Sequence, residues 1–422
     1  WMLYLKLIIK KLSRNNTMKS FHRSILTAVI IAIIFAGILG ASLLLHRFTV
    51  PFSNNHNPQN IENNDTNNVS DDFSDPKDFV IHKTLNLKIN GLEQVINILE
   101  VDISTNKIKI KPVLSYDSIY GFELLSEIAQ KHKAYAAINA GFFYEYGEPS
   151  GMVVIDGEII TGSTGKYPVF IIDEGIAQLK QFETLLYLKP VKDKTQLNSL
   201  KSDKINVDGK PGEWVLYTRR YGTDNRVKRD NITLVIENNI LTEIVKSDKE
   251  TKIPPNGMLA TYIEQLPKQG SNSLRDGELQ VNSLTIPFTI GEEVKLEYKP
   301  DLGINAQAYE CGSWIIKDKE IVISEKDPWV GVLTNRDPRT AIGIKESGEV
   351  VIITVDGRQP GYSYGFMARE LGEFLVQYGV KDAAMLDGGA STEMIIEGEI
   401  INRPSFRASE RPLAGAIIVE VE

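Results

Sequence analysis

The sequence predicts an α+β fold built on largely antiparallel, mixed sheets with few helices, and three features indicate it. From about residue 79 onward, short apolar runs alternate with turn signals. Asp-Gly and Glu-Gly turns each join two such runs, in MVVIDGEII (152–160) and EMIIEGEII (393–401), as in β-hairpins. Only two stretches space their apolar residues as a helix does. Many strands with few helices are typical of this fold class.

The individual elements follow from the same patterns. GEVVIITVDGR (348–358) and LAGAIIVEVE (413–422) predict buried strands. Helices are predicted over 122–133 and 364–379, where apolar residues recur three and four positions apart. The more polar segment 180–300 is expected to form hairpins and loops and is a candidate subdomain.

The N-terminal part predicts one transmembrane helix. Residues 25–45 form a run of 21 residues without a charge, which as a helix spans roughly 30 Å, the thickness of a bilayer core. Residues 1–50 hold seven Lys or Arg and no acidic residue, and six of the seven precede the run. The positive-inside rule therefore places the N-terminus in the cytoplasm and the C-terminal domain outside the cell membrane.

A cleaved signal peptide is the alternative, but its apolar region is usually only 7–15 residues long. The segment that follows, 51–76, is rich in Asn, Asp, Ser and Pro, and it is predicted to be a disordered stalk. The predicted organisation is a basic cytoplasmic tail (1–23), a transmembrane helix (24–46), a disordered linker (47–78) and the main domain (79–422).

Charge and cysteine content exclude two classes of protein. Beyond residue 50 the chain has 40 basic and 55 acidic residues, a net charge near −15, which argues against nucleic acid as a partner. The single cysteine, Cys311, excludes an internal disulfide. A large hydrophobic core must then stabilise the domain.

Histidine chemistry is poorly supported. The chain has five histidines, and only His82 and His132 lie in the main domain, neither of them in a polar motif. A Ser-His-Asp arrangement around Ser391 or a His/Cys metal site is therefore disfavoured. An all-oxygen Mg²⁺ or Ca²⁺ site stays open because carboxylates are plentiful, and no other cofactor is expected.

Carboxylates, arginines, hydroxyls and glycines instead gather where predicted strands begin or end, which is where sheet proteins form sites. The segments are INAGFF (138–143), NRDPRTAIGI (335–344), VDGR (355–358), LDGGAST (386–392) and INRPSFRASERP (401–412). Each segment alone also has a structural explanation. Asp-Gly is a common hairpin turn, Gly-Gly can form a bulge, Ser and Thr can cap a loop, and Arg can be a surface charge.

These segments resemble the blocks of the phosphodiester glycosidase family and stand in the same order: NAGFF, PRTAIG, DGR, LDGGAS and NRPSFRASERP. GEWVLYTRRYGTD (212–224) resembles a further block, and the resemblance covers about 90–422. Two differences stand out. Ala390 replaces a family glycine, and ECGSWIIKDKE (310–320) replaces a Gly-Gly-Pro block, which alters one wall of the expected pocket.

The resemblance implies hydrolysis of a sugar C1–O–phosphate diester. Asp387 is then the expected nucleophile or base, Asp356 the group that orients Arg or sugar hydroxyls, and Glu393 a candidate second acid. Arginine suits phosphate because its guanidinium offers a bidentate fork. The expected substrate- and phosphate-binding residues are Asn139, Gly141, Arg339, Thr340, Arg358, Gly388, Gly389, Ser391, Thr392, Asn402 and Arg411.

Three functions remain open at this stage. The first is a membrane-anchored extracellular hydrolase of a cell-surface or exopolysaccharide glycan. The second is a non-catalytic module that binds an anionic cell-wall polymer, and the third is a structural ectodomain. Clustered Arg and Asp favour the enzyme over the third. Trp214, Trp314 and Trp329 are isolated in the sequence, whereas a pure sugar binder usually has an aromatic stripe. The oligomeric state, the sugar and the anomeric outcome are not predicted.

Overall fold

The computed structural model describes residues 75–192, 199–265 and 286–422. The predicted tail, transmembrane helix and most of the linker lie outside the described residues. Within the described ranges, no helix is both long enough and apolar enough to cross a membrane.

A seven-stranded sheet, here the first sheet, is antiparallel throughout, in the order β1-β2-β23-β22-β24-β18-β19. Its strands are β1 (Val80–Ile89), β2 (Leu92–Val101), β18 (Trp314–Lys317), β19 (Glu320–Ile321), β22 (Arg339–Lys345), β23 (Val350–Val355) and β24 (Val380–Met385). The adjacent strands β2, β23 and β22 are almost wholly buried. The continuous apolar run of β23 predicts this burial.

A five-stranded antiparallel sheet, the second sheet, has the order β26-β25-β4-β27-β3. Its strands are β3 (Ile108–Leu114), β4 (Ala136–Asn139), β25 (Met394–Ile396), β26 (Glu399–Ile400) and β27 (Gly415–Val421). The predicted hairpin at 393–401 is the pair β25–β26, and the predicted C-terminal strand is β27.

The two sheets pack face to face over one core, because alternate residues of each strand point to opposite faces. In β23, Ile352 belongs to the core shared with Ile138 and Ile417 of the second sheet. Its neighbour Ile353 points to the other face, where it joins a separate cluster with Leu371. The result is a sandwich of two sheets with further layers outside each.

The outer layers are two helices, α1 (Leu125–His132) on the second sheet and α2 (Ala368–Gln377) on the first. Each begins later than the sequence predicts. Before α1, Glu123 pairs with Leu413 as a β-bridge, and before α2, Phe366 pairs with Asp337. These tertiary backbone pairs keep the first residues of each predicted helix extended.

The remaining strands form a third five-stranded sheet in the order β6-β5-β17-β7-β8, which contains the predicted 152–160 hairpin. Its strands are β5 (Val153–Ile155), β6 (Glu158–Thr161), β7 (Val169–Asp173), β8 (Ile176–Lys180) and β17 (Gln307–Glu310). A second hydrophobic cluster joins this sheet to the strands of segment 185–299.

Segment 185–299 contributes a three-stranded and a five-stranded sheet. The strands are β9 (Leu185–Pro190), β10 (Leu200–Ser202), β11 (Lys204–Ile205), β12 (Trp214–Thr218), β13 (Asn231–Glu237), β14 (Ile240–Ser247), β15 (Gly257–Ile263) and β16 (Val294–Lys299). A short hairpin, β20 (Lys326–Asp327) and β21 (Gly331–Val332), completes the described strands. The pair β11–β12 is parallel, and the other strand pairs in the described part of the chain are antiparallel.

Candidate active site

Three neighbouring strands of the first sheet bring the predicted site residues to one edge. Strand β22 pairs antiparallel with both β23 and β24, so its first residue, Arg339, meets the last residues of its neighbours. Asp356 directly follows Val355, the end of β23, and Asp387 follows two residues after Met385, the end of β24. The predicted clustering of strand ends is therefore observed.

Asn139, the last residue of β4, connects this edge to the second sheet. Its Oδ1 accepts hydrogen bonds from Thr340 Oγ1 at 2.9 Å and from the backbone N–H of Glu393 at 3.2 Å. Its Nδ2 donates to the carbonyl oxygens of Asp387 at 2.6 Å and Ala140 at 3.0 Å. The fully buried amide is thus committed to holding the loops of the site in place.

Asp387 forms a short chain of polar contacts with Ser391 and Arg411. Ser391 Oγ donates to Asp387 Oδ2 at 2.6 Å and accepts from Arg411 Nη1 at 2.7 Å. Arg411 Nη1 also lies 3.9 Å from Asp387 Oδ2. Burial raises the pKa of Asp387 above its ordinary value, although Ser391 and Arg411 act in the opposite direction. The carboxylate is therefore a stronger base than a surface aspartate.

The loop after Asp387 passes beneath a second arginine. Gly389 has a φ of +61°, and a Cβ at this position would lie 3.0 Å from Arg358 Nη2. Glycine therefore permits both the left-handed backbone and the close guanidinium. Arg358 is half exposed, and its Nε donates to Asp337 Oδ1 at 2.8 Å. The N–H of Gly389 donates to Pro338 O at 2.9 Å, so the amide predicted to bind phosphate is already used within the protein.

Asp356 is almost completely buried and saturated with donors. Tyr362 Oη donates to its carboxylate at 2.9 Å, Asn402 Nδ2 at 3.0 Å and the backbone N–H of Arg403 at 3.0 Å. Burial raises the pKa of Asp356, and these donors oppose the rise. Asp356 therefore anchors the 401–403 loop, and the Arg403 guanidinium then stacks 3.9 Å above the Tyr362 ring.

Glu393 is 1% exposed, and neither of its carboxyl oxygens has a hydrogen-bond partner among the described residues. Burial, with a smaller contribution from the nearby carboxylate of Glu410, raises the pKa of Glu393 to about 9. Glu410 itself accepts from the backbone N–H of Ser126 at 2.9 Å and from its Oγ at 2.8 Å. Glu393 is consequently a neutral acid at neutral pH.

Several other predicted binding residues contact neighbouring protein groups and thereby stabilise the site. Thr392 Oγ1 contacts Thr340 Oγ1 at 3.3 Å, and the Thr392 carbonyl accepts from Asn402 Nδ2 at 3.1 Å. Gly141 packs against the ring of Tyr309, and Gly388 packs against the Pro338 carbonyl. Thus Thr340, Thr392 and Asn402 make their contacts within the protein.

Arg339, predicted to bind phosphate, is 2% exposed. Its Nε donates to the Phe366 carbonyl at 2.9 Å and its Nη2 to the Asn335 carbonyl at 2.8 Å. Burial lowers the pKa of this guanidinium. The side chain thereby fixes the loops before β22 and α2, and Arg358 and Arg411 are the more accessible guanidinium groups beside Asp387.

We expect Arg339→Lys to lower the free energy of unfolding by about 2–4 kcal/mol, because Lys cannot keep both charge-assisted bonds to buried carbonyls. Urea unfolding measures the change. Arg358→Lys is the matched control, since a half-exposed guanidinium should contribute about 0.5 kcal/mol or less. An Arg339→Lys variant of wild-type stability with strongly reduced turnover would contradict this structural role.

Two residues that contact the site were not predicted from the sequence. Tyr362 lies in the turn-rich segment after Asp356, and Asp337 lies just before the predicted strand β22. Their neighbours Asp356 and Arg358 were predicted, and a polar residue within a few positions of a strand-end carboxylate is the signal that could have identified them.

A cleft of about 380 Å³ adjoins Arg411 and is lined also by Phe122, Phe143, Tyr144, Glu145, Phe406 and Pro412.

The two histidines of the domain lie elsewhere. His82 is on β1 near Thr84, and His132 ends α1, 3.9 Å from Asp117. In residues 75–192, 199–265 and 286–422, no three or more His, Cys, Asp or Glu side chains are grouped so that they could hold a metal ion.

Part of the chain is similar to a known enzyme family. Residues 230–420 match the family model described as phosphodiester glycosidase. This segment is similar to that family, and it contains every predicted site residue except Asn139 and Gly141.

Two curated relatives match shorter segments. The SPbeta prophage-derived uncharacterized protein YomE of Bacillus subtilis is 36% identical over 98 residues, which is 23% of this chain and 15% of that protein. N-acetylglucosamine-1-phosphodiester alpha-N-acetylglucosaminidase of Bos taurus is 29% identical over 106 residues, 22% of this chain and 19% of that enzyme. The matches thus span less than a fifth of the length of either relative.

A solved structure extends the comparison to the fold. A hypothetical protein from Synechocystis superposes with a TM-score of 0.64 at 18% identity, covering 82% of this chain and 62% of that one. The fold described above is therefore similar to that of the Synechocystis protein.

Proposed function

We propose that this protein hydrolyses glycosyl phosphodiesters, breaking the bond between sugar C1 and the phosphate oxygen. The observation that carries the proposal is the contact chain Asp387–Ser391–Arg411 beside an open cleft. It combines a partly exposed carboxylate of raised pKa with an accessible guanidinium. The family match and the bovine relative's name support the same chemistry.

In this mechanism Asp387 either attacks C1 or removes a proton from the attacking water. The C1–O bond breaks, and both bonding electrons leave with the phosphate oxygen. If Asp387 attacks C1, water then hydrolyses the sugar–Asp387 ester and frees the carboxylate; if Asp387 activates water, the water oxygen bonds to C1 directly. The products are a free sugar and a phosphomonoester. Phosphate is a good leaving group, so a strong general acid is less necessary than in ordinary glycoside hydrolysis. That suits a site in which Glu393 and Asp356 are each 1% exposed.

Arg411 and Arg358 are the groups we assign to the phosphate. Their side chains are 34% and 49% exposed, and each lies close to the 387–391 loop, Arg411 at Ser391 and Arg358 at Gly389. A guanidinium binds two phosphate oxygens at once and stabilises the charge that develops as the bond breaks. Asp356 serves as a positioning residue because it holds the loop that precedes Arg411.

The test uses the methyl diester of α-N-acetylglucosamine 1-phosphate and, as control, methyl α-N-acetylglucosaminide, which lacks the phosphate. We expect free sugar and methyl phosphate from the diester and no reaction with the control. Chromatography of the products with purified protein measures both. Binding of the diester without any turnover, over a panel of sugars, would replace the enzyme by the alternative, a non-catalytic binding module.

We also propose that the domain works outside a cell membrane on a surface or exopolysaccharide glycan. The support is the apolar run at 25–45 with the basic residues before it. Protease added to intact cells should release the C-terminal domain by cutting within 51–76. Complete protection of the C-terminus would reverse the orientation.

A further inference from the structure

Two segments that are distant in the sequence assemble an aromatic group beside the candidate active site. Phe142 and Tyr144 follow β4, and Trp329 lies in the β20–β21 hairpin. The Tyr144 and Trp329 rings meet edge to face at 4.9 Å, and Phe142 lies 6.1 Å from Trp329. Tyr144 is 52% and Trp329 39% exposed. The tryptophan that was isolated in the sequence is therefore part of an exposed aromatic pair.

Buried polar contacts hold this pair in place. Asp327, only 4% exposed, accepts from the backbone N–H groups of Trp329 at 2.7 Å and Val330 at 2.9 Å, and Ser313 Oγ also donates to it. The backbone N–H of Tyr144 donates to the Glu148 carbonyl at 2.8 Å. Exposed rings on a fixed backbone lose little conformational entropy when they bind a ligand.

Gly312 connects the aromatic group to the strand that leads to Asp387. The ring of Phe142 packs so closely on Gly312 that a Cβ there would lie 2.5 Å from it. The N–H of Gly312 donates to the carbonyl of Met385 at 2.7 Å, two residues before Asp387. The position of the rings relative to the carboxylate is thereby fixed by backbone contacts.

Tyr144 lines two clefts, of which only the second has an excess of carboxylates. One is the 380 Å³ cleft, whose charged lining residues are Arg411 and Glu145. The other, of about 460 Å³, has backbone and hydroxyl groups of residues 150–164 on its wall. Its charged lining residues among the described parts of the chain are Glu148, Glu183, Asp203, Asp208 and Lys204. The excess of carboxylates repels phosphate and accepts hydrogen bonds from sugar hydroxyls.

We propose that Tyr144 and Trp329 form a platform for an uncharged sugar ring of the substrate, with the second cleft receiving further sugar units. An aromatic face offers a large apolar contact with the C–H face of a pyranose, while the surrounding polar groups bind its hydroxyls. The substrate is then an oligosaccharide linked through its reducing-end C1 to phosphate. The phosphate lies toward Arg411, and the sugar chain runs past Tyr144. This direction rests on the proposed function, whereas the sugar platform itself does not.

The binding test uses two phosphate-free trisaccharides, maltotriose and triacetylchitotriose, with the full chain and the heat of binding as the signal, which does not depend on Trp329. We expect at least one to bind, and Trp329→Ala and Tyr144→Ala each to weaken its binding by about ten-fold or more. Trp329→Phe should retain most of the affinity, which guards against a folding defect. Trp314→Phe is the matched control, because Trp314 lies on β18 with its Nε1 bonded to Gln181 at 3.0 Å, and this change should leave binding unaltered.

The kinetic test compares a monosaccharide diester with a trisaccharide diester. Trp329→Ala should reduce the preference for the trisaccharide by about ten-fold. The platform is overturned if the protein hydrolyses the monosaccharide diester but binds neither trisaccharide. Unchanged binding in both alanine variants would overturn it as well. A change in sedimentation of Trp329→Ala without any sugar binding would also overturn it, in favour of a contact between copies. Sugar binding without hydrolysis would refute the proposed function alone.

Discussion

Replacement of Asp387 by Asn should lower kcat/KM for a glycosyl phosphodiester by at least about 10³-fold, the scale of losing an essential group rather than a single binding contact. The amide has nearly the same shape, and its oxygen can still accept the hydrogen bond that Ser391 Oγ donates to Asp387 Oδ2 at 2.6 Å. What disappears is the negative charge that attacks C1 or activates water. Steady-state kinetics at neutral pH measures the loss.

The same variant should fold as well as the natural protein. Burial raises the pKa of Asp387, so its ionised form is less favourable in the folded state than in the unfolded chain. Removing the charge should leave the free energy of unfolding unchanged or slightly higher, as often occurs when an active-site group is neutralised. A variant that loses activity only because it unfolds would not support a catalytic role.

Asp382→Asn is the matched control, since Asp382 lies on the same strand, β24, and accepts from the Asp318 N–H at 2.8 Å. Its activity should equal that of the natural protein. Asp356→Asn provides a contrast: it disturbs the donors from Tyr362, Asn402 and Arg403, so we expect a larger effect on KM than on kcat. If Asp387→Asn retains near-normal turnover, the 387–391 loop is only a turn, and the mechanism is wrong at its centre.

The elements were predictable wherever the chain carries a strong local period. The hairpins β5–β6 and β25–β26 follow from apolar runs joined by Asp-Gly and Glu-Gly, and strands such as β23 follow from continuous apolar runs. The order of the strands was not predictable. Strand β2 pairs with β23, far along the chain, and only the complementary apolar faces of the folded domain select that pairing.

The sequence predicted which residues lie in the site better than it predicted the surroundings of each residue. Asp356 and Asp387 look alike in the sequence, because each follows an apolar strand and precedes glycine. In the structure Asp356 is saturated by donors from residues 362, 402 and 403, whereas Asp387 is partly exposed beside Arg411. Loops that are distant in the sequence supply these donors, so a local pattern cannot distinguish a buried anchor from an accessible carboxylate.

Glu393→Gln should raise the free energy of unfolding at pH 7 by up to about 3 kcal/mol. Burial raises the pKa of Glu393 from about 4.5 in the unfolded chain to about 9 in the folded protein, and this figure is the stability that the natural protein loses between pH 4.5 and pH 7. Because the folded protein keeps this proton and the unfolded chain releases it, natural stability falls as the pH rises from about 4.5 to about 9. Glutamine does not titrate. The gap between the two proteins should therefore be small near pH 4.5 and widen at higher pH.

Urea unfolding at several pH values measures this gap, with Glu399→Gln, an exposed position of β26, as the control that should show none. A constant gap across the pH range would mean that Glu393 titrates as an ordinary carboxyl group.

Turnover of the same variant identifies the role of the proton. With both carboxyl oxygens buried, we expect Glu393 to be a fixed structural acid whose replacement changes kcat by less than about ten-fold. A larger loss in this more stable variant would instead make Glu393 the second acid, because instability could not account for the missing activity.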